Sequence, residues 1–279
     1  MVTERSDELR ALARLIVDAL PAVVEEAVLT GSVSRGVADD ISDMEMLIVT
    51  GRVLDREDCF ELARSAGLVH LDSWGPPTPP AQRVFGFRDG VPVELIWWPR
   101  DYAEAQVAEA LAGGGGSTAD ALVHAMPLRT QGLLASWQEQ LRSYPSEVAA
   151  TRIEAAALRW GGFAPAGVLT LTRPDDRLAL HEWLVDTANR VLAIVFALNR
   201  VWQPTAKRLP DRLAPLAITP DRLAQRISEA LTESDPRCAL RTMTELQLET
   251  VLLAPGGPNV ERARSWLAEA LRLLRQPGR

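Results

Sequence analysis

The chain has 279 residues, 47% of them hydrophobic and 24% charged, with a formal net charge of -7 and a pI near 5.2. That apolar content supports one large core or two modest ones, while the acidic balance argues against a long polynucleotide footprint, which needs a basic face. No stretch reaches transmembrane length without charge, and the N-terminus lacks a basic region followed by an unbroken apolar core. Cys59 and Cys238 are too few for a disulfide framework and have no metal-ligating neighbours, so they are expected to fill cores of a cytoplasmic protein.

The spacing of Leu9, Leu12, Ala13, Ile16 and Leu20 predicts an N-terminal amphipathic helix. Ala27, Val28 and Leu29 form a short apolar strand, Gly31-Ser32 breaks it, and residues 44–49 form a second strand. Residues 55–66 are predicted helical and 68–71 extended, and the proline-rich loop 73–80 presents Trp74 for packing or for stacking on a base. Residues 84–97 read as a hairpin around the two-residue turn Asp89-Gly90. A helix follows at 102–111, then a glycine run at 113–116 that serves as a joint between domains or as a loop over a cleft. The remainder shows no strand alternation. Helices are predicted at 130–143, 146–160 and 175–202, the last closed by Pro204, with others starting at Thr219-Pro220, Ser234-Asp235-Pro236 and Asn259.

The chemistry concentrates in residues 30–50, TGSVSRGVADDISDMEMLIVT. Strand alternation sends the carboxylates of Asp43 and Glu45 to one side, where they repel unless a hard cation lies between them. Mg²⁺ suits such a pair, because it takes one or two carboxylates together with substrate phosphates. Gly31 allows the backbone close to an anion, and the Ser32 hydroxyl and the amides after it supply donors. Glu94 interrupts the apolar returning strand of the hairpin, where a lone carboxylate is costly without a partner.

The pattern Gly-Ser-x-x-Arg-Gly, then Ser-Asp-x-Glu in a strand, then an isolated Glu on a later strand, resembles the nucleotidyltransferases of the DNA polymerase beta superfamily. Within that superfamily it is most similar to the small bacterial antibiotic nucleotidyltransferases of the kanamycin and lincosamide kind. The resemblance implies an α+β protein in which residues 1–130 form a nucleotidyltransferase domain, a mixed sheet flanked by helices, and residues 131–279 form a helical bundle that binds the acceptor, with the active site in the cleft between them. It implies that Gly31, Ser32, Arg35 and Lys207 bind the NTP, and that Asp43, Glu45 and Glu94 hold Mg²⁺, two ions in all. Where the family usually has Asp, this chain has Glu45, which reaches one methylene further.

The implied reaction moves a nucleoside monophosphate, AMP first, to a hydroxyl of an aminoglycoside-like or lincosamide-like acceptor and releases pyrophosphate. Glu94, Glu182 or Asp186 resembles the general base, and Lys207 or Arg200 the phosphate clamp. A salt-bridged, solvated helix face explains Glu182, Asp186, Asn189 and Arg190 equally well. His70, His124 and His181 are expected to be structural. Two alternatives stand beside this reading: modification of tRNA or protein, and a degenerate nucleotide-binding protein without catalysis.

Overall fold

The computed structural model describes residues 2–73, 80–158, 165–173 and 175–276. The chain divides into two compact units, Met1–Ser143 and Tyr144–Arg279. The division falls later than the one expected at residue 130, for a physical reason. Glu26, fully buried, accepts hydrogen bonds from the backbone N–H groups of Gln131, Leu133 and Leu134 at 2.9, 3.3 and 3.3 Å, and so fastens helix Leu133–Arg142 to the first unit.

The first unit opens with α1 (Glu4–Asp18), capped by Thr3, whose side chain accepts from the Ser6 N–H. Its apolar stripe, Leu9, Ala13 and Ile16, is at most 1% exposed. Burying each of the larger side chains contributes about 1.5–3 kcal/mol. Then come β1 (Val24–Leu29), the single turn α2 (Gly31–Ser34), β2 (Met44–Thr50), α3 (Arg56–Ser65), β3 (Val69–Asp72), β4 (Gln82–Arg88), β5 (Val91–Pro99), α4 (Arg100–Leu111), α5 (Gly116–Val123), β6 (Met126–Arg129) and α6 (Leu133–Arg142). The six strands lie in the order β3-β4-β5-β2-β1-β6. β2 and β5 run parallel and the other neighbouring pairs antiparallel, so the fold is α+β with a mixed sheet.

Alternation divides the sheet into two faces. Met44, Met46 and Ile48 of β2 and Val93, Leu95 and Trp97 of β5 enter one core with α1 and α3. The residues between them, Glu45 and Glu94 included, point to the opposite face, against which α4 and α6 pack. The turn between β4 and β5 has Asp89 at φ 51° and Gly90 at φ 79°, the doubly positive geometry that suits the twist of a hairpin.

The second unit is helical: α7 (Ser146–Leu158), a 3₁₀ segment Pro165–Thr172, α8 (Arg177–Leu198), α9 (Leu209–Leu213), α10 (Leu223–Thr232), α11 (Pro236–Leu253) and α12 (Pro258–Arg275). Helix α7 packs on α8 and α12, and α11 packs on α8, α10 and α12. Among the described residues no helix is long and apolar enough to cross a membrane.

Several expectations need correction. α8 ends at Leu198, before Pro204 could end it. The Asn199 amide donates to Val195 and Ile218 carbonyls at 2.8 and 2.7 Å, and Arg200 turns into the left-handed region at φ 55°. Trp202, expected inside that helix, instead stacks on Tyr144 at 4.4 Å between ring centroids. The glycine run 113–116 lies within the first unit and leads into α5, so it does not join domains. α5, β6 and α9 were not foreseen. Trp74 in its proline loop, and the end expected for the helix over 146–160, lie outside the described residues.

Candidate functional site

The site begins where β1 gives way to α2. The Thr30 backbone N–H donates to the Glu45 carbonyl at 2.9 Å, tying the end of β1 to the start of β2. Gly31 follows with φ 69°. The Glu45 carboxylate lies against it: a β-carbon at position 31 would collide with Oε2 and stand 3.3 Å from Cδ. Glu45 and Glu94 are register partners in the parallel pair β2/β5, so their side chains stand side by side on one face. Glu94 is half-buried, with Oε1 3.4 Å from Arg83 Nη1 on β4.

Asp43, one residue ahead of β2, is half-buried, and its carboxylate makes no ion pair or hydrogen bond with another described residue. The same holds for the Ser32 hydroxyl. Asp43, Glu45 and Glu94 are not drawn into one ligating cluster. Among the described residues no three His, Cys, Asp or Glu side chains are grouped to hold a metal ion.

The backbone of the turn is fastened by two arginines. Arg10 of α1 donates to the Val33 and Ser34 carbonyls at 3.2 and 3.0 Å. Arg35, expected at the nucleotide, makes two contacts within the protein: Nη1 donates to the Gly31 carbonyl at 3.1 Å and Nη2 lies 2.5 Å from Asp120 Oδ2. Asp120 sits on α5 with its side chain 4% exposed, and His124 Nδ1 lies 2.9 Å from its carbonyl and 3.3 Å from Oδ1. Asp120 escaped sequence reasoning because nothing local distinguishes it. The one available signal is an acidic residue on the apolar face of ADALV, which asks for a cationic partner.

In the second unit, the Asp186 carboxylate holds Arg190 through two hydrogen bonds of 2.7 Å, one turn apart on α8. That pairing matches the salt-bridged helix face expected for these residues. Glu182 is exposed on α8. Lys207 is exposed in the irregular segment between α8 and α9, and Arg200 is exposed just after α8. Arg152 covers the faces of both Tyr144 and Trp202, 5.9 and 5.5 Å from the ring centroids. Burial pushes the Tyr144 hydroxyl above its usual range.

Comparisons with known proteins cover part of this ground. The model of a domain of unknown function (DUF4037) matches residues 126–209, from β6 to the start of α9. No curated protein matches the chain. Among solved structures the chain is similar to a nucleotidyltransferase-like protein from Exiguobacterium sibiricum 255-15. The two are 12% identical with a TM-score of 0.38, over 95% of this chain and 74% of the other.

Proposed function

We propose that this chain is a nucleotidyltransferase that moves a nucleoside monophosphate, AMP first, from an NTP to a hydroxyl of a small acceptor. The observation that carries the reading is the Glu45 carboxylate set against Gly31 with Glu94 beside it on the neighbouring strand. A glycine turn able to approach phosphate is thereby placed next to carboxylates able to hold a hard cation.

The donor set fits one Mg²⁺. Asp43 and Glu45 would hold it, two carboxylates being the number that this ion takes together with phosphate oxygens and water. A second ion near Glu94 would need a third carboxylate in the same cluster, and the described residues do not group three. When bound, the ion supplies charge neutralisation to the triphosphate.

The remaining work falls to side chains of the chain. The Ser32 hydroxyl and the turn amides donate to the β- and γ-phosphate oxygens. The acceptor oxygen attacks the α-phosphorus, the bond from that phosphorus to the β-phosphate oxygen breaks, and pyrophosphate leaves. Glu94, half-buried and next to Glu45, takes the proton of the acceptor hydroxyl. An amino-sugar acceptor of the aminoglycoside or lincosamide kind suits a protein whose formal net charge is -7.

A second reading, nucleotide binding without catalysis, is favoured by the Arg83 guanidinium, which already engages the carboxylate assigned as base. Radiolabelled NTPs incubated with the protein, Mg²⁺ and a panel of hydroxylated antibiotics, tRNA and the protein itself separate the readings. Label on a small acceptor supports the proposal, label on tRNA or protein moves the acceptor to a macromolecule, and binding without transfer favours the second reading.

A further inference from the structure

We infer that Asp120 is the positioning residue of the phosphate-binding turn: through Arg35 it fixes the Gly31 carbonyl and so the direction in which the Ser32 amide donates. The inference rests on the proposed nucleotidyltransferase reading for its ligand, and on the geometry alone for the positioning.

In a trans peptide the carbonyl of one residue and the N–H of the next point in opposite directions. Whatever holds the Gly31 oxygen therefore aims the Ser32 N–H the other way. Among the described residues two side-chain donors hold that oxygen, Arg35 Nη1 and Ser34 Oγ, each at 3.1 Å. The hydroxyl belongs to the turn itself and moves with it. Of these two, Arg35 ties the oxygen to a different element, because its other nitrogen is anchored 2.5 Å from Asp120 Oδ2 on α5.

Helix α5 is a firm anchor. Gln138 of α6 donates to the carbonyls of Leu122 and Ala125, each at 3.1 Å, and so closes the C-terminal end of α5. α6 is itself held to β1 by the buried Glu26. His124 Nδ1 lies 2.9 Å from the Asp120 carbonyl and 3.3 Å from Oδ1, on the side of the carboxylate away from the Oδ2 that meets Arg35. With Arg10 on the Val33 and Ser34 carbonyls, guanidinium groups take up three carbonyl oxygens of the turn; the Ser34 and Gly36 amides donate to the Thr30 and Val33 carbonyls, and the Ser32 amide, opposite the held Gly31 carbonyl, is the donor aimed at an anion. A freely moving glycine turn could present either its carbonyl or its amide to a ligand. An anion needs the amide, and a fixed turn does not lose conformational freedom on binding.

The test uses the full chain with Asp120→Asn, Arg35→Gln and the double variant, each checked for its melting temperature. Two readouts are taken: hydrogen exchange of the peptide spanning residues 31–36, and ATP binding by calorimetry with KM and kcat for nucleotidyl transfer. Each single variant should speed exchange in that peptide without speeding it in β2 or β5, and should weaken ATP binding about ten-fold, the loss of one charge-assisted hydrogen bond. The double variant should be no worse than the poorer single one, because both act on one carbonyl. KM for ATP should rise while kcat holds, a split that a general loss of stability would not produce. Unchanged exchange in Asp120→Asn, or additive effects in the double variant, would overturn the inference. Should Asp120→Asn fail to fold, Arg35→Gln breaks the same contact and decides the question. Should the unaltered protein bind no ATP, the nucleotide reading fails while the exchange measurement still settles whether Asp120 holds the turn.

Discussion

Glu45 fills the space that a side chain at Gly31 would need, since a β-carbon there would collide with Oε2 and stand 3.3 Å from Cδ. The positive φ of 69° adds a backbone cost for any L side chain. The Glu45 carboxylate is the far end of a flexible side chain and can turn aside, so Gly31→Ala should lower stability chiefly through the dihedral, by about 1–2 kcal/mol in chemical denaturation. Adding Glu45→Ala should return the part due to the collision and leave the dihedral cost. A loss in Gly31→Ala that Glu45→Ala restores in full would contradict the dihedral cost.

Gln247 of α11 is fully buried, and neither its amide oxygen nor its amide nitrogen has a hydrogen-bond partner among the described residues. Such a group carries its desolvation cost with nothing to offset it. Gln247→Met, close in volume, should raise stability by about 1–3 kcal/mol. A loss of stability would show that a buried water satisfies the amide.

Asp235 caps α11, accepting from the N–H groups of Arg237 and Cys238 at 2.7 and 3.2 Å. The Cys238 N–H first and the Arg237 N–H second hold its carboxyl below the ordinary value of 3.8. A carboxyl with a depressed folded pKa contributes stability above its unfolded pKa and loses it as pH falls through the folded one. The gap between the unaltered protein and Asp235→Ala should be about 1 kcal/mol at neutral pH, and it should close on acidification below 3.8. A gap independent of pH would remove the cap from the account.

Cys59 is buried on α3, and burial, followed by Asp58 and Asp55, pushes its thiol up to about 12. Only the thiolate reacts with alkylating agents at a useful rate. Iodoacetamide at neutral pH should therefore label Cys238, which is half-buried, and spare Cys59 until the protein unfolds. Native labelling of Cys59, read by peptide mass spectrometry, would contradict its burial.

Much of the first unit was legible because its signals are local. The stripe Leu9, Ala13, Ile16 reports α1 by period, and Asp89-Gly90 reports its hairpin by the positive φ that both residues adopt. The resemblance put Glu45 and Glu94 at one site, but the register that makes them direct partners was not legible, because parallel pairing depends on a crossover and leaves no mark in either strand. β6, MPLR, has too few residues to show alternation and is recruited by pairing with β1. The end of α8 was misplaced because Pro204 looks like the stop, whereas the helix is ended by Asn199 bonding to Ile218, nineteen positions on. Arg35 could be noticed in the sequence, but its partner Asp120 lies 85 residues away, beyond any periodic or motif signal.

The most direct measurement of the central claim is the turnover of Asp43→Asn, read as pyrophosphate released from ATP in the presence of Mg²⁺ and the acceptor found by the labelling screen. Asn removes the charge that would hold the cation and keeps the shape of the side chain, and Asp43 makes no ion pair with a described residue whose loss could disturb the fold. The account predicts that turnover is abolished while the melting temperature and far-ultraviolet circular dichroism stay as in the unaltered protein. Turnover equal to that of the unaltered protein would contradict it and remove the carboxylate site from the chemistry.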